Sequence, residues 1–260
     1  LELGHAVTFS GALSHEQVLA QMQSSHAFVL ASRVETFGVV FIEALSQGLP
    51  VVATRCGGPE SIITPANGKY KKTLFIDFAI HGFEDDSARD GQRLTAIAHH
   101  LIAHFASHPE ELGNYRLVIV PCANPDGAIA GKNAQRSGKN AFGRCTAAHI
   151  DINRDFGPFK GKETRALRDF ILRSKPNVYI NAHGWLNETL GTKKLCQIVN
   201  RTLHLKKMKD GVYAANEGYA IGWVHKKLNI PCCLLEYKAP NALHTKDNVR
   251  MIREIIKAYA

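Results

Sequence analysis

At 260 residues, 45% hydrophobic and 21% charged, the chain has an ordinary globular composition and enough apolar material for a core, which excludes a disordered polyampholyte or a fibrous repeat. It has no run of 18 or more apolar residues, so no membrane span is expected. The net charge of +9 is uneven: residues 1–68 carry two basic and five acidic residues, residues 69–260 carry 30 and 18. Such asymmetry suggests two origins. No nucleic-acid motif accompanies the basic excess, which reads as a solvated lysine-rich face, so no nucleic-acid partner is expected. LELGHAVTFSG lacks the basic start and apolar stretch of a secretory signal, which points to the cytoplasm if Leu1 is a native start. The six cysteines form no CxxC pair and read as reduced, mostly buried thiols. The oligomeric state is not legible.

In chain order, HAVTFSG predicts a strand. SHEQVLAQMQSS predicts a helix, with Ser14 as N-cap and Gln17 completing a capping box. HAFVLAS predicts a second strand, TFGVVFIEALSQG a helix ended by Gly48, and LPVVATRC a third strand. The turn GGP then opens a short helix, PESII. This βαβαβα order predicts a parallel sheet. The polar stretch TPANGKYKK at 64–72 reads as a linker, and the charge balance changes sign there, so the domains are placed at 1–68 and 69–260. Next come a buried strand, TLFIDFAI, and a long amphipathic helix, DGQRLTAIAHHLIAHFAS. RLVIVPCANPDG predicts a strand and a turn. Residues 128–150 form a long loop of the kind that often carries function. KETRALRDFILRS is a helix, PNVYINAHGW a strand running into a loop, YAIGWVHKKLN a helix, IPCCLLEYKA a buried strand and NVRMIREIIKAYA a closing helix. Cys232 and Cys233, adjacent in a strand, are expected on opposite faces.

Ionisable residues follow three of these apolar strands. His81 and Glu84 follow TLFIDFAI, His183 follows NVYINA, and Glu236 follows IPCCLL. Ligands of α/β sheets bind beyond the carboxyl ends of strands, so these four side chains are expected to converge. Two imidazoles and a carboxylate make a zinc set with one position open to water. Each residue also has a plain structural reading: a satisfied histidine, a helix-capping acid in the Glu-Asp-Asp run, or a solvated strand end.

Their order and neighbours decide. HGFED, NPDG, INRDF, NAHGW and LLEYK occur in the order of the zinc carboxypeptidase family, which residues 73–260 resemble. The resemblance implies a three-layer α/β/α domain and a zinc ion held by His81, Glu84 and His183. It implies Glu236 as the general base and a peptide or amide substrate with a free carboxylate. Asn153 and Arg154 match the pair that grips that carboxylate, where a bidentate guanidinium suits a planar acceptor; the alternative for Arg154 is an ion pair with Asp151 or Asp155. The oxyanion arginine is Arg144 or Arg136, with Arg144 preferred because NAFGRC is similar to compact bacterial members. The family's mobile tyrosine corresponds to Tyr213, with Tyr219 second. Ile221, two before Trp223, matches a specificity-pocket position, and a core position on a helix is the alternative. Asp155 departs from the Asn of many members. The family's usual section before the first zinc ligand is shortened.

SRVETFGVVFIEALSQGLPVVATRCGGPESIITPANG is similar to the nucleotide-sugar-binding half of a GT-B glycosyltransferase of the family 4 type. Glu35 and Glu43 match its paired glutamates, and Gly57-Gly58-Pro59 its following turn. The resemblance implies a Rossmann-like βαβαβα segment over 1–68. Only part of one of that family's two domains is covered, so the segment reads as a remnant or fusion piece. The competing readings are a zinc metallocarboxypeptidase or amidase, a non-catalytic fusion protein, an N-acyl-amino-acid deacylase, and a nucleotide-sugar glycosyltransferase.

Overall fold

A computed structural model describes residues 6–33, 35, 38–54, 70–83, 90–130, 143–210, 218–238 and 245–260. The chain divides into two compact units, Leu1–Ile63 and Thr64–Ala260.

In the first unit, α1 (His15–Gln23) starts from the expected capping box: the Gln17 amide donates to Ser14 Oγ and the Ser14 amide donates to Gln17 Oε1. β1 (Phe28–Leu30) and β2 (Val51–Ala53) pair in parallel on either side of α2 (Val39–Ser46) in sequence. The chain leaves α2 through Gly48, whose φ of 79° lies in the left-handed region that glycine adopts readily. Met22, Ala44 and Leu49 form a small core. The expected first strand is not there: residues 6–11 are irregular, and Phe9 is 93% exposed. A strand needs a neighbour to satisfy its amides, and among the described residues the sheet of this unit contains β1 and β2 alone. The expected PESII helix lies outside the described residues.

The second unit contains β3 (Lys72–Phe78), α3 (Asp90–Ser107), β4 (Tyr115–Val120), α4 (Pro125–Ala130), α5 (Lys162–Ser174) and β5 (Val178–Gly184). It continues with β6 (Glu188–Gly191), α6 (Lys193–Leu203), β7 (Lys207–Asp210), α7 (Ala220–Leu228), β8 (Cys232–Tyr237) and α8 (Thr245–Ala258). The sheet runs β4-β3-β5-β8-β6-β7, parallel except where β6 meets β8. β6, α6 and β7 go beyond the sequence expectation. Their signal is present in α6, where Leu195, Ile198, Val199 and Leu203 recur at helical spacing and are buried.

Alternation along the central strands sorts two cores. Leu74, Ile76 and Phe78 of β3, with Ile180 of β5 and Leu235 of β8, face α3, α6 and α8. Phe75, Tyr179, Cys232 and Leu234 face α5 and α7. Cys232 and Cys233 therefore part to opposite cores, as expected. The domain is the three-layer α/β/α arrangement. No helix among the described residues is long and apolar enough to cross a membrane.

On the α5/α7 face, β3 changes character after Phe75. Asp77 is fully buried, and its Oδ2 has no hydrogen-bond partner among the described residues. Burial pushes its carboxyl up to about 7, against the opposing pull of Tyr179 and Asn181. The folded state therefore holds this proton more tightly than the unfolded chain. Asp77 contributes stability that is full below about pH 4 and lost as the pH rises through about 7. Urea unfolding at pH 5 and pH 8 should find the wild type less stable at pH 8 by on the order of 2–4 kcal/mol. Asp77→Asn should remove most of that difference; an undiminished difference would contradict the assignment.

Candidate functional site

The polar end of the α5/α7 face forms the site. Register sets it: His183 of β5 lies opposite Glu236 of β8, and Asp77 of β3 opposite Asn181 of β5. Register partners project to one face, and residues two apart on a strand do too. Asp77, Asn181, His183 and Glu236 therefore share the face that carries Phe75, Tyr179 and Leu234 deeper in the sheet. The chain leaves β3 through Ala79, whose φ is 53°, and delivers His81 to the same end. His81 and His183 are buried, with ring centroids 5.2 Å apart and edge-to-face. Glu236 is buried beside His183 in the register.

Both imidazoles are held by the same nitrogen. His81 Nε2 donates to Asp151 Oδ1 at 2.8 Å. His183 Nε2 donates to Asn181 Oδ1 at 2.6 Å. With the proton on Nε2, Nδ1 is in each case the lone-pair nitrogen that a metal would take. Asp151, which sequence reading treats only as a possible partner of Arg154, is the centre of the arrangement. Its Oδ1 also accepts the Asn153 amide at 2.9 Å, and its Oδ2 lies 3.4 Å from Arg144 Nε. Burial works to raise the Asp151 carboxyl, but the His81 hydrogen bond and the nearby positive charges of Arg144 and Arg154 hold it down at about 2. It is an anion throughout the neutral range, as an anchor for an imidazole donor must be.

The other motif residues divide by what they touch. Asn153 is buried, and its Oδ1 accepts the Ala220 amide at 2.9 Å, at the first turn of α7. This ties the short 3-10 turn Ile152–Arg154 to α7 and leaves the Asn153 Nδ2 group to donate. Arg154 is exposed. Its Nη1 donates to the Asn153 carbonyl, and its guanidinium lies 4.1 Å over the Tyr219 ring, which fixes the plane of the fork. Asp155 takes neither role: its two oxygens accept the Lys160 and Gly161 amides ahead of α5. Asn124 of NPDG is a brace. It accepts the Gly127 amide and donates to the Arg144 carbonyl at 3.0 Å, and Gly127 packs against Gly82, where a Cβ would meet backbone. Ile221 is buried in the core with Phe75 and Val224, so the core reading of that position holds.

Glu84, Arg136 and Tyr213 lie outside the described residues. Among the described residues, no group of three His, Cys, Asp or Glu side chains is arranged to hold a metal. His81 and His183 supply two donors of the right chemistry; the carboxylate of the expected set is Glu84. In the first unit, Glu43 lies 3.5 Å from His15, and Gly57, Gly58 and Pro59 are outside the described residues.

Comparison with known proteins finds two families in the chain, whose matches overlap at residues 46–81. The family profile described as zinc carboxypeptidase matches residues 46–160, which includes His81, Arg144 and Arg154 and stops short of His183. The profile of glycosyl transferases group 1 matches residues 1–81. The chain is 30% identical over 214 residues to bacteriocin BCN5 of Clostridium perfringens, covering 74% of this chain and 23% of that protein. It is 43% identical over 60 residues to sulfoquinovosyl transferase SQD2 of Arabidopsis thaliana, covering 23% of this chain and 12% of that one. The chain thus spans a quarter or less of these relatives. Among solved structures, it is similar to bovine thrombin-activatable fibrinolysis inhibitor, with a TM-score of 0.54, 15% identity, and coverage of 73% of this chain and 82% of that chain. A metallo-carboxypeptidase from Burkholderia cenocepacia gives a TM-score of 0.54 at 15% identity, covering 76% and 60%. Murein-tripeptide amidase MpaA from Escherichia coli O157 gives 0.50 at 17% identity, covering 74% and 84%. The chain therefore carries a stretch that matches the zinc carboxypeptidase family, residues 46–160, and a leading stretch that matches group 1 glycosyl transferases, residues 1–81, and its second unit has a carboxypeptidase-like fold.

Proposed function

We propose that the second unit is a zinc-dependent hydrolase that cleaves a peptide or amide bond near a free carboxylate. The observation that carries this reading is the convergence of two Nε2-anchored imidazoles, His81 and His183, beside the buried carboxylate of Glu236. The division at 1–68 and 69–260 goes with it, the first segment being a glycosyltransferase remnant without sugar-transfer activity.

His81 and His183 would hold the ion through Nδ1, with Glu84 as the third ligand. When bound, zinc supplies Lewis acidity for a carbonyl and for water. Glu236 takes a proton from the attacking water and delivers it to the leaving amine. Arg154 grips the substrate carboxylate with a fork already oriented by Tyr219, and Asn153 Nδ2 donates beside it. Arg144 stabilises the oxyanion of the tetrahedral species, with Asp151 positioning it through Nε; Arg136 is the alternative for that role. Tyr213, with Tyr219 second, is the candidate for the family's substrate-contacting tyrosine. The names of two similar proteins, a bacteriocin and a murein-tripeptide amidase, favour cell-wall peptides over ordinary protein ends.

Assays on a carboxyl-terminal dipeptide and on a murein tripeptide test the substrate. Glu236→Gln should lower kcat by about 10²–10⁴ while zinc uptake is retained; an unchanged kcat would overturn the role of Glu236. Arg154→Lys keeps the charge and loses the fork. It should raise KM roughly tenfold on a substrate with a free carboxylate and leave kcat within about threefold. The same substitution should do nothing to the KM of the amidated substrate, and an equal effect on both would remove Arg154 from carboxylate recognition.

A further inference from the structure

The two imidazoles differ in what lies behind them. His81 rests directly on a carboxylate, Asp151. His183 rests on a neutral amide, Asn181, and that amide in turn donates through Nδ2 to Asp77 Oδ1. All three residues are buried, and Asp77 and Asn181 are register partners on neighbouring strands. The Asn181 side chain is oriented at both ends: its oxygen faces an imidazole N–H, and its amide group faces a carboxylate. With Asp77 ionised, as at pH 8, reversing it would set Nδ2 against the His183 Nε2–H and Oδ1 against the Asp77 carboxylate, two repulsive contacts in a dry environment.

We infer that Asp77 and Asn181 form a relay that positions His183 for metal binding. Asn181 fixes the Nε2–H tautomer and the ring plane. Asp77 holds Asn181 in register and polarises its amide, so that Oδ1 is a stronger acceptor and Nδ1 a better donor to a metal. An aspartate at position 77 is costly as a plain core residue: it is fully buried one pleat above Phe75, where its carboxyl is withdrawn from water. As the far end of a ligand-orienting chain it has a reason to be there. Neither residue touches the substrate in this account; both are positioning residues. The inference rests on the proposed zinc site.

The test is zinc affinity of the full chain at pH 8, measured by competition with a chromophoric chelator. The thermal midpoint of the metal-free protein serves as the control for folding. Asn181→Leu, which keeps the shape and loses both hydrogen bonds, should weaken zinc binding about 10–100-fold. The exchanged pair Asp77→Asn with Asn181→Asp rebuilds the chain with its polarity kept, since Asn at 77 donates to Asp at 181, which accepts from His183. It should bind zinc within about threefold of the wild type and restore the visible spectrum of the cobalt-substituted protein. Should Asn181→Leu not fold, Asp77→Asn alone decides, with an expected weakening of roughly tenfold. Zinc affinity unchanged in the folded Asn181→Leu protein, or in Asp77→Asn where that variant decides, overturns the inference and leaves the zinc site standing. A wild-type chain that takes up no zinc overturns both.

Discussion

The parallel pairing of β5 with β8 is the constraint on which the site depends. It sets His183 opposite Glu236, and the pairing of β5 with β3 on its other edge sets Asp77 opposite Asn181. Side chains alternate with a period of two, so a slip of one residue in either pair would send one partner to the α3/α6/α8 core. The apolar pattern forbids that slip. Ile180 and Leu235 on one face, and Tyr179 and Leu234 on the other, are buried in their present register. The same burial that stabilises the sheet therefore aligns the chemistry at its end. Removing one buried methylene-rich side chain from such a core costs about 2–5 kcal/mol, so the register is far better determined than any single polar contact above it.

Beyond the strand ends, Asp151 does the ordering. One carboxylate holds His81, receives the Asn153 amide and stands beside Arg144, which couples the proposed ligand, the proposed carboxylate clamp and the proposed oxyanion arginine through a single residue. Asn153 extends the coupling to the start of α7. Asn124 extends it to the Arg144 backbone. The motif residues outside the chemistry are thus the bracing that keeps three loops in one arrangement. A tightly packed bracing shell is what a site needs, because misplacement of a reacting group by even 1 Å is costly.

The sequence was informative where a residue's role is local. The Ser14 capping box, the Gly48 exit and the separation of Cys232 from Cys233 all follow from spacing alone, and each is found. His81, His183 and Glu236 were singled out because each follows an apolar strand and because their motifs fall in the order of the zinc carboxypeptidase family. Asn181 and Asp77 were not, since their meaning lies in a register between strands about a hundred residues apart, and nothing in either strand announces its partner. Asn124 and Asp155 sit in the motifs NPDG and INRDF, and their hydrogen bonds show them supporting loops. HAVTFSG failed as a strand for a related reason: alternation gives a strand its faces, and only a neighbour gives it hydrogen bonds.

The central claim is that both imidazoles are held by Nε2 and so offer Nδ1 to one metal ion. An anomalous-scattering map from crystals grown with zinc tests it directly. The account predicts one zinc peak about 2.0–2.1 Å from Nδ1 of both His81 and His183, with the two Nε2 atoms still on Asp151 and Asn181. Zinc bound through Nε2, or zinc absent from both histidines, would contradict it.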